Sequence, residues 1–129
     1  GIEVEGDHRV VRTGAGDEYR CHALLVATGS TYRRLGIPGE DDYIGSGVHF
    51  CATCDGAFYR GEDVLVVGGG NSATEESLFL TTLDQKITII TNLDQLTASR
   101  LVVDKVERNA AIEVRTQTVP VEFLDLDAY

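Results

Sequence analysis

HFCATCDGAFYRGEDVLVVGGGNSATEESLFL, residues 49 to 80, sets a Cys-x-x-Cys pair directly ahead of an apolar strand, a glycine turn and a helix. Val64-Leu65-Val66-Val67 is short, apolar and mostly β-branched, the composition of a parallel strand buried on both faces. It runs straight into Gly68-Gly69-Gly70-Asn71-Ser72-Ala73, a Gly-x-Gly-x-x-Ala pattern. From Ser72 onward Ala73, Leu78, Leu80 and Leu83 mix with Glu75 and Glu76, which are expected in the first turn of a helix, where acids suit its positive end. In a dinucleotide-binding βα unit the first glycine permits the tight turn. The second lets the backbone approach a pyrophosphate, and the third small residue lets helix and strand pack closely. Gly68, Gly70 and Ala73 fall at those positions in order, with Gly69, Asn71 and Ser72 completing the turn. A glycine pattern by itself also fits a plain loop; the strand before it and the helix after it supply the context the motif requires.

Cys51-Ala52-Thr53-Cys54-Asp55-Gly56 has three readings. A zinc half-site needs a second ligand pair, and the remaining candidates, Cys21, His8, His22 and His49, form no second knuckle. Two unrelated buried thiols fit poorly with a charged Asp55 beside Cys54. A redox dithiol fits best, because two intervening residues let a disulfide form and open, and a thiol of lowered pKa there becomes a nucleophile.

The chain has 129 residues, enough for one domain that buries roughly two-thirds of its unfolded surface. Apolar residues make up 43 % and charged residues 25 %, an ordinary globular balance. The net charge of −10 repels a phosphate backbone, so nucleic acid is not an expected partner. No run approaches the roughly 18 apolar residues of a membrane span and no signal peptide opens the chain, which makes the cytoplasm the default expectation. Three cysteines is an odd number, at variance with a secreted disulfide framework and in keeping with one cycling pair plus Cys21, read here as a buried strand thiol.

Around this centre, residues 1 to 20 read as a β-hairpin or meander, with Val10-Val11 on a strand and Gly14-Ala15-Gly16-Asp17 as a turn. Ala23 to Ala27 is apolar throughout and reads as a central strand ending in Thr28-Gly29. Residues 31 to 47, with Arg33-Arg34, Pro38 and the acids Glu40 to Asp42, read as a linker between two lobes. Lys86 to Thr91 is a second parallel strand, joined to the first through the helix by a βαβ crossover. Ser99 to Asn109 reads as a helix, and Ala111 to Thr116 and Val119 to Leu124 as two strands able to pair as a hairpin.

These residues closely resemble the low-molecular-weight, bacterial-type flavoprotein thioredoxin reductases. The resemblance rests on Cys-Ala-Thr-Cys-Asp-Gly followed by Phe-Tyr-Arg, a strand and Gly-Gly-Gly-Asn-Ser-Ala. Upstream, Leu24 to Ser30 is similar to the family's Ala-Thr-Gly segment and Leu35 to Glu40 to its Gly-x-Pro-Gly linker. It covers most of residues 19 to 91. The fold it implies is α/β, a Rossmann-like dinucleotide-binding domain of the two-dinucleotide-binding-domain flavoprotein type with part of the FAD lobe attached. Residues 1–45 are then the end of the FAD lobe and the linker, and 46–129 a nicotinamide-nucleotide domain, incomplete at its C-terminal end, that carries the redox disulfide. The chain is expected to be a fragment, unable by itself to hold FAD well or to turn over.

By the same resemblance, a nicotinamide nucleotide on Gly68–Ala73 passes hydride to FAD, and reduced flavin opens a Cys51–Cys54 disulfide that in turn reduces thioredoxin or a similar protein. Cys54 is implied to lie nearest the flavin, Asp55 to act as acid or base for the leaving thiol, and Glu75 to face the nicotinamide side. Ala27, Thr28 and Gly29 are implied to touch FAD, and the full-length protein to be a soluble homodimer. No metal is expected.

One departure concerns the electron donor. NADPH-using members of that family carry a His-Arg-Arg run and a later arginine that hold the 2′-phosphate; the matching positions here are Thr91, Asn92, Leu93 and Thr97. Thr91 is equally not the Asp or Glu with which an NAD site binds the ribose hydroxyls. Arg100 is one helical turn away. NADPH, NADH and a donor of another kind therefore stay open. So do an alkyl hydroperoxide reductase flavoprotein module, a ferredoxin-fed reductase and a non-enzymatic redox-sensing module as alternatives to the disulfide reductase.

Overall fold

The computed structural model describes residues 1–125, which form two compact units, Gly1–Tyr32 and a second that begins at Arg33. The first is an antiparallel meander of β1 (Ile2–Glu5), β2 (His8–Arg12) and β3 (Glu18–Cys21), as the sequence leads one to expect. Glu5 pairs with His8, leaving a two-residue turn whose first residue, Gly6, supplies the positive φ of 55° that so short a hairpin needs. The β2–β3 turn is closed by Asp17 N–H donating to Thr13 Oγ1 at 3.2 Å. Arg12 reaches Glu3, Glu5 and Glu18, and Arg20 reaches Glu5 and Glu18, so exposed ion pairs lace the three strands. Val10 is fully buried.

Two expectations fail in this unit. Ala23 to Ala27 is not a strand, and Leu25 and Val26 are 87 % and 65 % exposed. A strand exists only by pairing its N–H and C=O groups, and no strand among the described residues lies beside this one. Cys21 does sit on a strand but is half-buried, its Sγ 3.6 Å from the Arg9 carbonyl oxygen.

The second unit is built on a parallel sheet in the order β4 (Asp63–Val67), β5 (Lys86–Ile90), β6 (Ile112–Arg115). The connections are α3 (Asn71–Thr81) and α4 (Arg100–Glu107), preceded in the chain by the short helices α1 (Glu40–Tyr43) and α2 (Ala52–Asp55). Leu80 of α3 and Val106 of α4 close over Ile87 and Ile89, with Val64, Val66, Ile112 and Val114 packed around them. Burying side chains of this size contributes about 1.5–3 kcal/mol each. Thr74 and Ser77 are fully buried on the same face of α3, each hydroxyl donating to a carbonyl one turn back, Gly70 O at 2.9 Å and Ala73 O at 2.6 Å. Small residues satisfied by their own helix let α3 lie close to the sheet.

Here too the sequence reading needs correction. β4 is parallel but not buried on both faces: Val64 and Val66 turn toward the helices, while Leu65 and Val67 are 50 % and 38 % exposed on the other side. Glu75 and Glu76 stand in the second turn of α3 rather than the first, because the helix begins at Asn71. Val119 to Leu124 is not a strand and makes no hairpin; among the described residues β6 pairs with β5 alone. Pro120 has no N–H to give a ladder. That segment instead bonds to the stretch before α1, Phe123 N–H donating to Pro38 O at 2.9 Å, and a Cβ on Gly39 would collide with the Phe123 carbonyl.

Of residues 31 to 47, expected as linker, those from Leu35 to Glu40 are held by local hydrogen bonds. The buried Glu40 carboxylate accepts from Leu35 N at 2.9 Å and Gly36 N at 2.7 Å, which hold it below the ordinary carboxylate range, Leu35 contributing most. Among the described residues no helix is long and apolar enough to cross a membrane.

Candidate functional site

Cys51 has extended backbone and caps α2, whose single turn brings Cys54 back beneath it. The N–H groups of Cys54 and Asp55 both donate to the Cys51 carbonyl, at 3.2 and 3.1 Å. Cα atoms three residues apart on such a turn stand within disulfide reach, and Cys51 and Cys54 are joined, their Cα atoms 5.3 Å apart. Cys51 is half-buried and Cys54 exposed.

The redox turn is fastened at three points, two on α3 and one on the connection that follows it. Ala52 N–H, one of the donors a helix start leaves unpaired, donates to Glu76 Oε2 at 3.2 Å. Gly56 is so close to α3 that an added Cβ would lie 2.6 Å from Leu80 Cδ2. Gln85, buried at the end of the α3–β5 connection, donates from Nε2 to Gly56 O at 3.0 Å and Tyr59 O at 2.7 Å. Glu76 was expected only as an acid at the helix start and Gln85 not at all, since their partners on the redox turn lie 24 to 29 residues away. His49 was weighed only as a metal ligand; it stands beside Asp55, Nδ1 to Oδ2 at 3.2 Å.

The glycine turn takes the shape its pattern implies. Gly68 has φ of 135°, open only to glycine, and a Cβ there would press on Ala73 Cβ at 3.3 Å, the close approach of strand and helix. A Cβ on Gly69 would lie 2.9 Å from Thr91 Oγ1. A Cβ on Gly70 would meet open space, and among the described residues no side chain caps the N-terminus of α3. Helix N–H groups thus face an open mouth at the point where a backbone can approach a diphosphate. The loop after β5 is sewn to the turn: Thr97 N–H donates to Gly69 O at 2.7 Å, and Ser99 N–H donates to Asn71 Oδ1 at 2.8 Å.

The other candidates divide. Ser72, Glu75 and Asn92 are exposed near the turn, while Thr91 is 3 % exposed with Oγ1 accepting from Leu93 N–H. Its Oγ1 stands close to the Gly69 backbone. Arg100 is occupied by Asp104 at 2.8 Å. Arg33 and Arg34, read from sequence as linker residues, line an open cleft at the carboxyl ends of β4 and β5 with Gly68, Thr91 and Asn92. Arg34 also pairs with Asp41 at 2.9 Å and lies over the Phe50 ring. Ala27, Thr28 and Gly29 belong to the first unit, where all three are exposed and Gly29 has φ of 80°.

The chain is similar to known proteins. The chain is 43 % identical over 104 residues to the thioredoxin reductase of Streptomyces clavuligerus, covering 81 % of this chain and 32 % of that protein. It is 40 % identical over 115 residues to the bifunctional thioredoxin reductase/thioredoxin of Mycobacterium leprae, covering 89 % of this chain and 25 % of that protein. The crystal structure of Lactococcus lactis thioredoxin reductase in its FR conformation matches with a TM-score of 0.74 at 39 % identity, over 98 % of this chain and 42 % of that one. The chain therefore spans about a quarter to a third of the length of these curated relatives. The profile described as pyridine nucleotide-disulphide oxidoreductase matches residues 1–128, and the chain belongs to that family.

Proposed function

We propose that this chain is the central part of a thioredoxin-reductase-type disulfide reductase, in which electrons from a nicotinamide nucleotide pass by way of FAD to Cys51–Cys54 and on to thioredoxin or a similar protein disulfide. The observation that carries the reading is the joining of two sites on one helix: the N-terminus of α3 forms the nucleotide turn, and its second turn holds the redox segment through Glu76 and Ala52. The relatives' names supply the acceptor, and the family supplies the class of donor.

The turn fits a dinucleotide. Gly68, Gly69 and Gly70 present backbone at the open start of α3, where N–H groups and the helix dipole favour a diphosphate, and Asn71 and Ser72 are the polar side chains at its rim. Ala27, Thr28 and Gly29 are the flavin contacts, on the end of an FAD lobe that residues 1–45 are proposed to complete; residues 46–129 are the nucleotide domain. Bound flavin supplies the two-electron chemistry that links hydride to disulfide. The protein's own part is to present the bond between Cys51 and Cys54, to hold Asp55 beside it as the proton source for the leaving sulfur, and to keep the turn rigid against α3. The whole protein is proposed to act as a homodimer in a reducing, cytoplasmic setting.

A second reading of the donor has its own support. Thr91, Asn92 and Thr97 carry no charge, and Thr97 is committed to Gly69, so NADH or a donor that is not a pyridine nucleotide is the variant of this function to set against NADPH. The visible spectrum of the full-length protein before and after NADPH and NADH tests both. A flavin band bleached by either nucleotide supports the reductase, and the absence of any flavin band contradicts it.

A further inference from the structure

Asp55 is joined by two side chains, His49 and Tyr59, that have no part in the reaction as described so far. His49 lies two residues before Cys51, with Nδ1 3.2 Å from Asp55 Oδ2 and Nε2 2.7 Å from the Tyr59 hydroxyl. The His49 and Tyr59 rings meet edge to face, their centroids 5.2 Å apart. All three side chains are half-buried. Two of them are also anchored through their backbone: Asp55 N–H donates to Cys51 O, and the Tyr59 carbonyl accepts from the buried Gln85.

The partners suit a group that must gain and lose a proton. A tyrosine hydroxyl both donates and accepts, so the His49 Nε2 keeps a partner as a neutral ring, accepting from Tyr59, and as an imidazolium, donating to it. The Nδ1–H is then directed at Asp55 in both states. Nothing in the line is left unpaired when the proton moves.

We infer that His49 is a positioning residue for disulfide opening: it holds the Asp55 carboxyl next to Cys54 and resupplies the proton that the leaving sulfur takes, with Tyr59 fixing the ring. In the step the reduced donor gives an electron pair to one sulfur, the S–S bond breaks, and the other sulfur leaves as a thiolate. That thiolate takes the proton from His49 Nδ1 by way of Asp55 while Nε2 draws the Tyr59 hydroxyl proton, which solvent replaces, so the ring ends neutral. The inference rests on the reductase reading of Cys51 and Cys54.

The test is the rate at which dithiothreitol opens the disulfide in the full-length protein, a reaction in which the added dithiol supplies the electrons and no nucleotide is needed. His49→Ala is expected to slow it about tenfold, less than the roughly hundredfold or more of a group that itself gives the proton to the reacting atom, because Asp55 stays in place. His49→Asn, whose amide nitrogen can reach the Nδ1 position, recovers part of the loss, which a merely structural role does not predict. Asp55→Asn combined with His49→Ala is expected to be no slower than Asp55→Asn alone, because the two act as one unit. Tyr59→Phe removes only the hydroxyl and slows the reaction roughly threefold; it carries the test if His49→Ala does not fold. A rate within about twofold of the parent for both His49→Ala and Tyr59→Phe, or fully additive losses in the double variant, overturns the inference. Bleaching of flavin by NADPH and NADH is read on the same parent protein: bleaching without a His49 effect overturns only this inference, and a His49 effect without bleaching overturns only the nucleotide-fed reductase.

Discussion

Glu76 Oε2 accepts the hydrogen bond of Ala52 N–H at 3.2 Å, so the helix that begins at the nucleotide turn caps the helix that carries the redox pair. Cys51 offers no side-chain cap of its own, and Glu76 takes that place from across the fold. Glu76→Ala is expected to cost about 1 kcal/mol, as loss of a helix cap does. Glu76→Gln keeps an accepting oxygen and should recover most of it. Hydrogen exchange checks the location: in Glu76→Ala the amides of residues 52–55 should exchange faster while those of β5 stay protected.

Gly69 and Gly70 adjoin in sequence and should differ in kind. Gly69→Ala drives a methyl into Thr91 and is expected to destabilise by roughly 1–3 kcal/mol. Gly70→Ala points its methyl into open space at φ of −85° and should leave the denaturation midpoint close to that of the parent. The same methyl occupies the approach of a diphosphate, so nicotinamide nucleotide should bind the Gly70→Ala protein at least about tenfold more weakly, a loss of about 1.4 kcal/mol. Urea unfolding and nucleotide titration on the two variants separate these effects.

Glu40 makes the residue 33–45 segment sensitive to acid. Its folded carboxyl is held below the ordinary range, first by the Leu35 N–H and then by that of Gly36. A depressed folded pKa contributes stability that is fully present above the unfolded value, about 4.3, and is lost as pH falls through the folded value below it. Glu40→Gln should therefore be less stable than the parent at neutral pH, and the two should converge as the pH drops beneath that range. Unfolding midpoints measured at neutral pH and at about pH 3 check the sign.

Donor choice should be weakly biased. A 2′-phosphate is normally held by charge-assisted bonds to arginine, roughly twice as strong as neutral ones, and Thr91, Asn92 and Thr97 offer none. The full-length protein is expected to prefer NADPH over NADH by less than about tenfold in stopped-flow flavin reduction. If a larger preference appears and Arg33→Ala removes it, the cleft arginine serves as the phosphate contact. A preference that survives both Arg33→Ala and Arg100→Ala places the phosphate elsewhere.

What the sequence disclosed was whatever a local pattern can carry. Val64–Val67, Gly68–Ala73 and Lys86–Thr91 announced a parallel βαβ unit, and Cys51 and Cys54 a closable pair; each depends on neighbours within a few residues. Burial was less legible. Ala23–Ala27 and the outer face of β4 are apolar, but whether apolar residues pair or are covered depends on what lies next to them in space. Thr74 and Ser77 read as polar although both are buried, since their hydroxyls are satisfied one turn back in the helix. The clamp on the redox turn was invisible because Glu76 and Gln85 act over long separations. The His49–Asp55–Tyr59 line is close in sequence, yet it runs from the stretch before α2 through the end of α2 to the turn after it, so no single element's period flags it.

The central claim is that Cys51 and Cys54 receive electrons from a nicotinamide nucleotide. The most direct measurement is a count of alkylatable thiols in the full-length protein, compared between parent and Cys51→Ser/Cys54→Ser, before and after anaerobic addition of NADPH or NADH. Nucleotide is predicted to release two thiols per chain in the parent and none of these in the double variant. A parent protein whose flavin bleaches but whose thiol count does not change would contradict the claim.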